Sequence, residues 1–136
     1  SQIERGPLET LAAVGGLEIA GLVGVILEAA FRRKPVIIDG FISTAAALVA
    51  SRIAPAATSY VIASHRSQER GHGAVLAELG LRALLDLDLR LGEGTGAVLA
   101  LPLVRAAVAL LNEMATFDEA GVSDREAGSI MVSTTE

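Results

Sequence analysis

Apolar positions in this chain fall into long blocks separated by glycine, proline and short charged runs, and only one stretch alternates. "PLETLAAVGG" reads as a short helix starting near Pro7, with Glu9 in its first turn and Gly15-Gly16 at its end. "LEIAGLVGVILEAAFRRK" is apolar almost all round. It predicts a second helix, with Arg32, Arg33 and Lys34 at the C-terminal end where cations favour the helix dipole. Gly21 and Gly24 lower its helix propensity and would let another helix approach closely. "PVIIDG" is a short β-branched run between Pro35 and Gly40, the pattern of a strand buried on both faces.

"FISTAAALVASRIAP" predicts a helix capped at Ser43 or Thr44 and stopped before Pro55. A second buried strand, Tyr60–Ala63, opens into a polar loop. The segment "QERGHGAVLAELGL" reads as helical, weakened by Gly71 and Gly73 and ending at Gly80. Leu85, Leu87, Leu89 and Leu91 then alternate with charges, as a strand would, although these leucines could equally end a helix. Thr95 to about Phe117 is a long helix in which Pro102 marks a kink or a later start. The tail, residues 122–136, is small and polar and reads as flexible. Strands alternating with helices predict one α/β domain over residues 1–136. Its layout is three-layered and Rossmann-like, with parallel strands near 35–39, 59–63 and 84–90 and flanking helices. Ligands of such sheets bind at the C-terminal strand ends. Three loops fall there: Asp39-Gly40-Phe41, Ser64-His65-Arg66-Ser67 and Gly92-Glu93-Gly94.

Composition narrows this picture. The 136 residues suffice for one domain with a core. Aromatic residues make up only 3% and the net charge is −5, which argues against a nucleic-acid partner. The chain has no cysteine, so disulfides, thiolate metal sites and thiol catalysis are excluded, and a cytoplasmic setting is expected. A mean hydropathy of +0.52 raises the question of a membrane. Glu18 and Glu28 interrupt Leu17–Phe31, and Pro102 and Arg105 interrupt Thr95–Leu111, so both helices are expected to be buried in protein. The start, "SQIERGPLETLAA", has neither a basic n-region nor an initiator methionine, which suggests a piece of a longer chain without a secretory signal.

Among the polar residues, Glu93 stands out, alone between Gly92 and Gly94 where a strand gives way to a helix. A glutamate near a helix N-terminus stabilises the dipole by about 0.3–1 kcal/mol, and a cap is one reading. The other reading is chemical: the paired glycines leave room for a flat ligand, and nearby leucines would desolvate the carboxylate and make it a base. "GEGTGA" places its third glycine, Gly96, too early for a dinucleotide fingerprint. Asp39 could hold a ribose hydroxyl, orient a partner or form an Asx turn. Ser64, Ser67 and the backbone N–H groups of their loop could hold a phosphate. A hydrolase using Ser64, His65 and Asp39 is conceivable, but adjacent Ser and His rarely face each other and no G-x-S-x-G elbow exists. His65 and His72 lack the third ligand and the spacing of a metal site.

Taken together, "PLETLAAVGGLEIAGLVG", "KPVIIDGFISTAAALVASRIAPAA", "SHRSQERGHGAVLAELGL" and "LDLDLRLGEGTGAVLALPLVRAAVALLNEMATF" resemble successive blocks of the nicotinate-nucleotide–dimethylbenzimidazole phosphoribosyltransferases (the CobT family). "DGFISTAAAL" and "RLGEGTGA" are the specific blocks. The resemblance implies transfer of phosphoribosyl from nicotinate mononucleotide to 5,6-dimethylbenzimidazole, giving α-ribazole 5′-phosphate and nicotinate for the lower ligand of cobalamin. It implies no metal and no cofactor, and a homodimer. It also implies that the general base is Glu93, with Leu91, Gly92, Gly94, Gly96, Asp39, Gly40, Ser64 and Ser67 around the substrates. Family members are about twice this length or more and carry an earlier glycine-rich block that is absent here. The chain therefore resembles their C-terminal half, and it could serve as a non-catalytic structural or interaction piece of such an enzyme.

Overall fold

Each apolar block folds as a helix or strand, with boundaries set by glycine and proline. The computed structural model describes residues 6–116 and 119–121; Phe117 and the tail expected over 122–136 lie outside the described residues. Helix α1 (Pro7–Val14) begins on proline, and the Gly6 N–H donates to Glu9 Oε2 at 3.1 Å, which satisfies one of the open donors of the first turn. Helix α2 (Leu17–Phe31) ends in a left-handed turn at Arg33, φ 56°, where the Lys34 N–H donates to Ala29 O at 2.8 Å. Strand β1 (Val36–Ile38) leads directly into α3 (Gly40–Ile53), and a 3-10 turn over Pro55–Tyr60 precedes β2 (Val61–Ala63). Helix α4 (His72–Glu78) starts after Gly71, φ 88°, and α5 (Thr95–Glu113) follows the glycine-rich turn.

β1 and β2 pair in parallel, with Val36 opposite Val61 and Ile38 opposite Ala63. The third strand expected over 84–90 is not formed among the described residues. Only Leu85 makes a parallel bridge, to His65, and Asp88 adopts a φ of 53°, which breaks the extended run. Leu85 and Leu89 are half-buried while Leu87 and Leu91 are exposed, so the leucines do not share one face as a period-two strand requires. The expected caps are also corrected. Asp39 is the N-cap of α3, and Ser43 and Thr44 lie inside the helix with hydroxyls donating back to Asp39 O and Gly40 O at 2.8 and 2.7 Å.

The core joins α2, α3, β1, β2 and α4 through Val23, Ile26, Ile38, Ala46, Ala47, Ala50, Val61, Ala63 and Leu76. Close packing of α2 on α3 comes from the alanines of α3, because small side chains let backbones approach. Gly21 and Gly24, expected to do this, face open space. The chain divides into two compact units, residues 1–103 and 104–136. In the first unit, Gly96 and Ala100 are the buried residues of α5, while Val98, Leu99, Leu101 and Leu103 are exposed. In the second, Val108, Leu110, Leu111 and Met114 are exposed, and Thr116 closes a short turn by donating to Glu119 Oε2 at 2.8 Å. The expectation that α5 is buried in protein therefore does not hold among the described residues. By length and composition α5 could cross a membrane, with Pro102 and Arg105 inside it.

Candidate functional site

The two strands end side by side, and each hands a polar residue to the space above the sheet. From β1 comes Asp39; from β2 come Ser64 and His65. His65 Nδ1 lies 3.0 Å from Asp39 Oδ1 and 3.1 Å from Ser64 Oγ. An ionised carboxylate can only accept, so the shared hydrogen sits on Nδ1 and is donated to Asp39. Ser64 is fully buried and His65 is 2% exposed, while Asp39 Oδ2 is buried without a partner among the described residues. An orphaned carboxylate oxygen is costly, which marks the cluster as more than packing.

This geometry removes the hydrolase reading. A serine relay needs the carboxylate on one ring nitrogen and the hydroxyl on the other. Here both converge on Nδ1, which carries a hydrogen and has no lone pair to take the serine proton. Ser64 also has no surface for a substrate to reach. The Asx-turn reading of Asp39 fails as well, since its side chain makes no bond to the α3 backbone and turns to His65 instead.

Over this floor sits the start of α5. A Cβ on Gly96 would lie 2.6 Å from Asp39 Oδ1 and would overlap the His65 ring, so only glycine can occupy the position. The third glycine of "GEGTG" is therefore a packing glycine. Gly92, Glu93 and Gly94 precede it with φ values of 76°, 55° and 80°, three left-handed residues in a row. Glycine adopts this region freely, but a glutamate there costs on the order of 1 kcal/mol or more. The turn is closed by Thr95 N–H donating to Gly92 O at 3.1 Å and Val98 N–H to Gly94 O at 2.9 Å. Glu93 is exposed, and Leu91 is 73% exposed. The desolvation by leucines expected around Glu93 does not occur among the described residues, because the alternating run turns Leu91 outward.

The phosphate-cradle reading of the Ser64–Ser67 loop is also corrected in part. Three of its four backbone donors are already used: Ser64 N–H bonds Ile38 O at 3.1 Å, Arg66 N–H bonds Leu85 O at 2.8 Å, and Ser67 N–H bonds His72 Nδ1 at 2.9 Å. Ser67 Oγ accepts from the Glu69 N–H at 3.2 Å, and Gly40, φ 76°, opens α3 beside Asp39. Both residues are half-buried and remain within reach of solvent.

Sequence reasoning missed the second histidine's role. His72 is buried and accepts from Ser67 N–H at Nδ1, so Nε2 carries the hydrogen and donates to Thr44 Oγ1 at 2.9 Å; Thr44 in turn donates to Gly40 O. Burial, with the nearby His65 ring, holds its pKa below the ordinary value. The relay ties the loop after β2 to the start of α3. The one legible signal was that an alanine-rich chain with two histidines places both at strand and helix ends. No group of three metal-binding side chains occurs among the described residues.

A family profile described as "Phosphoribosyltransferase" matches residues 1–122. The Chloroflexus aggregans protein named nicotinate-nucleotide–dimethylbenzimidazole phosphoribosyltransferase is 66% identical over 122 residues, which cover 90% of this chain and 35% of that protein. The chain belongs to this family. A Syntrophotalea carbinolica relative of the same name is 66% identical over 116 residues, 85% of this chain and 33% of that protein. The crystal structure of the Thermus thermophilus phosphoribosyltransferase superposes with a TM-score of 0.84 at 53% identity, covering 92% of this chain and 38% of that one. This member of the family thus spans about a third of the length of its curated relatives, a smaller share than the half suggested by the resemblance.

Proposed function

We propose that this chain carries the base-bearing part of a site that transfers phosphoribosyl from nicotinate mononucleotide to 5,6-dimethylbenzimidazole. The carrying observation is the Gly92-Glu93-Gly94 turn, which holds an exposed carboxylate in left-handed backbone beside the strand ends. Strain kept at one non-glycine position within a glycine turn supports a functional reading of that position. In the proposed step one ring nitrogen of the benzimidazole attacks the anomeric carbon. The bond from that carbon to the pyridinium nitrogen breaks, and its electron pair neutralises the departing nicotinate ring. The proton on the other benzimidazole nitrogen passes to Glu93, so the product ring is neutral.

Leu91, Gly92 and Gly94 flank Glu93 with open space for a flat bicyclic base, since nothing lies within 4 Å of a Cβ built on either glycine. Gly40 and the Ser67 hydroxyl would face the mononucleotide, while Asp39, whose Oδ2 is buried, would act from beneath rather than hold a ribose hydroxyl. Ser64 and Gly96 lie beneath as support. The remaining two-thirds of the relatives' length would supply the other wall, complete a three-layer sheet and cover the exposed face of α5, in a cytoplasmic homodimer. The exposed leucines of α5 also favour a second reading, in which an isolated chain of this length only associates with such a complement.

The test is a chimera in which residues 1–122 replace the matching part of the Chloroflexus aggregans relative. Nicotinate release that depends on added dimethylbenzimidazole is expected. Glu93→Gln, which keeps shape but cannot take the proton, is expected to lower turnover by about 10²–10⁴-fold with little change in affinity for the mononucleotide. A silent unsubstituted chimera would count against transfer by this chain, and full turnover in Glu93→Gln would leave Glu93 a cap.

A further inference from the structure

No hydrogen bond or ion pair holds the Glu93 carboxylate among the described residues. Its position is set through the backbone. The turn from Gly92 to Gly94 and the first turn of α5 form one hydrogen-bonded unit through Thr95 and Val98. That unit is seated tightly at Gly96, three residues beyond Glu93, where a Cβ would run into the Asp39–His65 pair. Both supporting residues are tied to the strand ends. Asp39 sits at the N-cap of α3 with its carboxylate bonded to His65, and His65 is held in parallel bridging with Leu85 and by the bonds of Nδ1 to Asp39 and Ser64. The carboxylate of Asp39 also lies at the N-terminal turn of α5, where negative charge is favourable.

We propose that Asp39 and His65 are positioning residues for Glu93, acting through Gly96, in the reaction assigned above; the inference rests on Glu93 being the base. His65 orients Asp39 by its Nδ1–H, the pair presents a flat seat to Gly96, and the seat fixes the height and direction at which the Glu93 carboxylate leaves its turn. Without the ring, the helix start settles into the vacated space and the carboxylate moves with it. Misplacement of about 1 Å in such a group can cost about 10²-fold in rate.

The experiment is a kinetic cycle in the same chimera. His65→Ala is expected to lower kcat by about 10²-fold while KM for nicotinate mononucleotide changes little. His65→Asn, whose amide N–H can replace Nδ1–H towards Asp39, is expected to recover most of that loss, and it keeps the proposal testable should His65→Ala fail to fold. The decisive readout is His65→Ala in the Glu93→Gln background: a residue acting only through Glu93 costs nothing further there. A loss that multiplies with that of Glu93→Gln, a loss confined to KM, or unchanged kcat in His65→Ala would each overturn the positioning role. Full turnover in Glu93→Gln alone would instead overturn the base assignment, so the two failures are told apart.

Discussion

The buried floor and the exposed turn above it solve opposite problems within a few residues of each other. Asp39, Ser64 and His65 are polar groups withdrawn from water, and each is held by short, directed bonds at the ends of two paired strands. Glu93 is a charged group left in water, held in an unfavourable backbone conformation with no side-chain partner among the described residues. The floor is held by the bonds of His65 Nδ1 to Asp39 Oδ1 and Ser64 Oγ, with Asp39 Oδ2 left as its one unmatched atom among the described residues; the turn is tolerated because Gly92 and Gly94 on either side adopt left-handed backbone freely. A proton acceptor has to be reachable, and a reachable side chain cannot be fixed by burial. Rigidity is therefore built beneath it and transmitted through a glycine.

This contrast can be broken from either side. The largest effect is expected from Glu93→Gly, which removes the carboxylate and the strain together. Turnover of the chimera should fall by about 10²–10⁴-fold, as read from nicotinate release. Urea unfolding of the same variant should show stability unchanged or raised by up to about 1 kcal/mol, because glycine prefers the left-handed region. Loss of stability would show that Glu93 is a structural cap after all.

From the other side, Gly96→Ala forces a methyl into the His65 ring, and overpacking of this kind typically costs about 1–3 kcal/mol. A shift in the urea midpoint would report it, and a neutral result would mean that the helix start does not rest on the Asp39–His65 pair. Somewhat smaller is Thr44→Val, which leaves the His72 Nε2–H without its acceptor in a buried site. The expected loss is about 1–3 kcal/mol, offset in part by the added apolar contact. Hydrogen exchange of the Ser67 amide, whose acceptor is the same ring, should speed up in that variant.

The smallest effect is that of pH. The pKa of His72 is lowered in the folded chain, so below the ordinary value of 6.5 the unfolded chain takes up a proton that the native ring refuses. Stability is thus fully present above 6.5, declines as pH falls through the window beneath it, and levels off once the native ring also protonates. NMR of the imidazole should show the neutral Nε2–H form persisting to below 6.5. A ring already charged at that pH would break the relay to Thr44.

Much of this organisation was legible in the residues. Pro7, Gly15, Pro55 and Gly80 bracket the helices as punctuation predicts, because φ restriction and missing N–H groups act locally; the segment expected to be helical from Gln68 instead begins at His72, after the left-handed Gly71. "VIID" and "YVIA" reveal two buried strands, and their ends bring Asp39 and His65 into one place. Glu93 was marked out by its glycines alone. The alternating leucines misled, since alternation describes a strand only while every residue stays extended, and Asp88 does not. The long apolar helices misled as well. Apolar composition says that a face needs a partner, but not that the partner lies within these residues.

By itself, then, the sequence determined the helices, the two paired strands, their order and the residue that carries the proposed chemistry, since these follow from local propensity and from side-chain chemistry at fixed spacing. Tertiary structure alone decided that Ser64 and Asp39 meet one nitrogen rather than two, that Gly96 is a seat rather than a phosphate loop, and that His72 is a neutral tie between loops. Those outcomes depend above all on contacts between residues distant in sequence, such as Asp39 with His65, Thr44 with His72 and Gly96 with Asp39, which the register of β1 on β2 and the entry of α5 fix, and which no local pattern encodes.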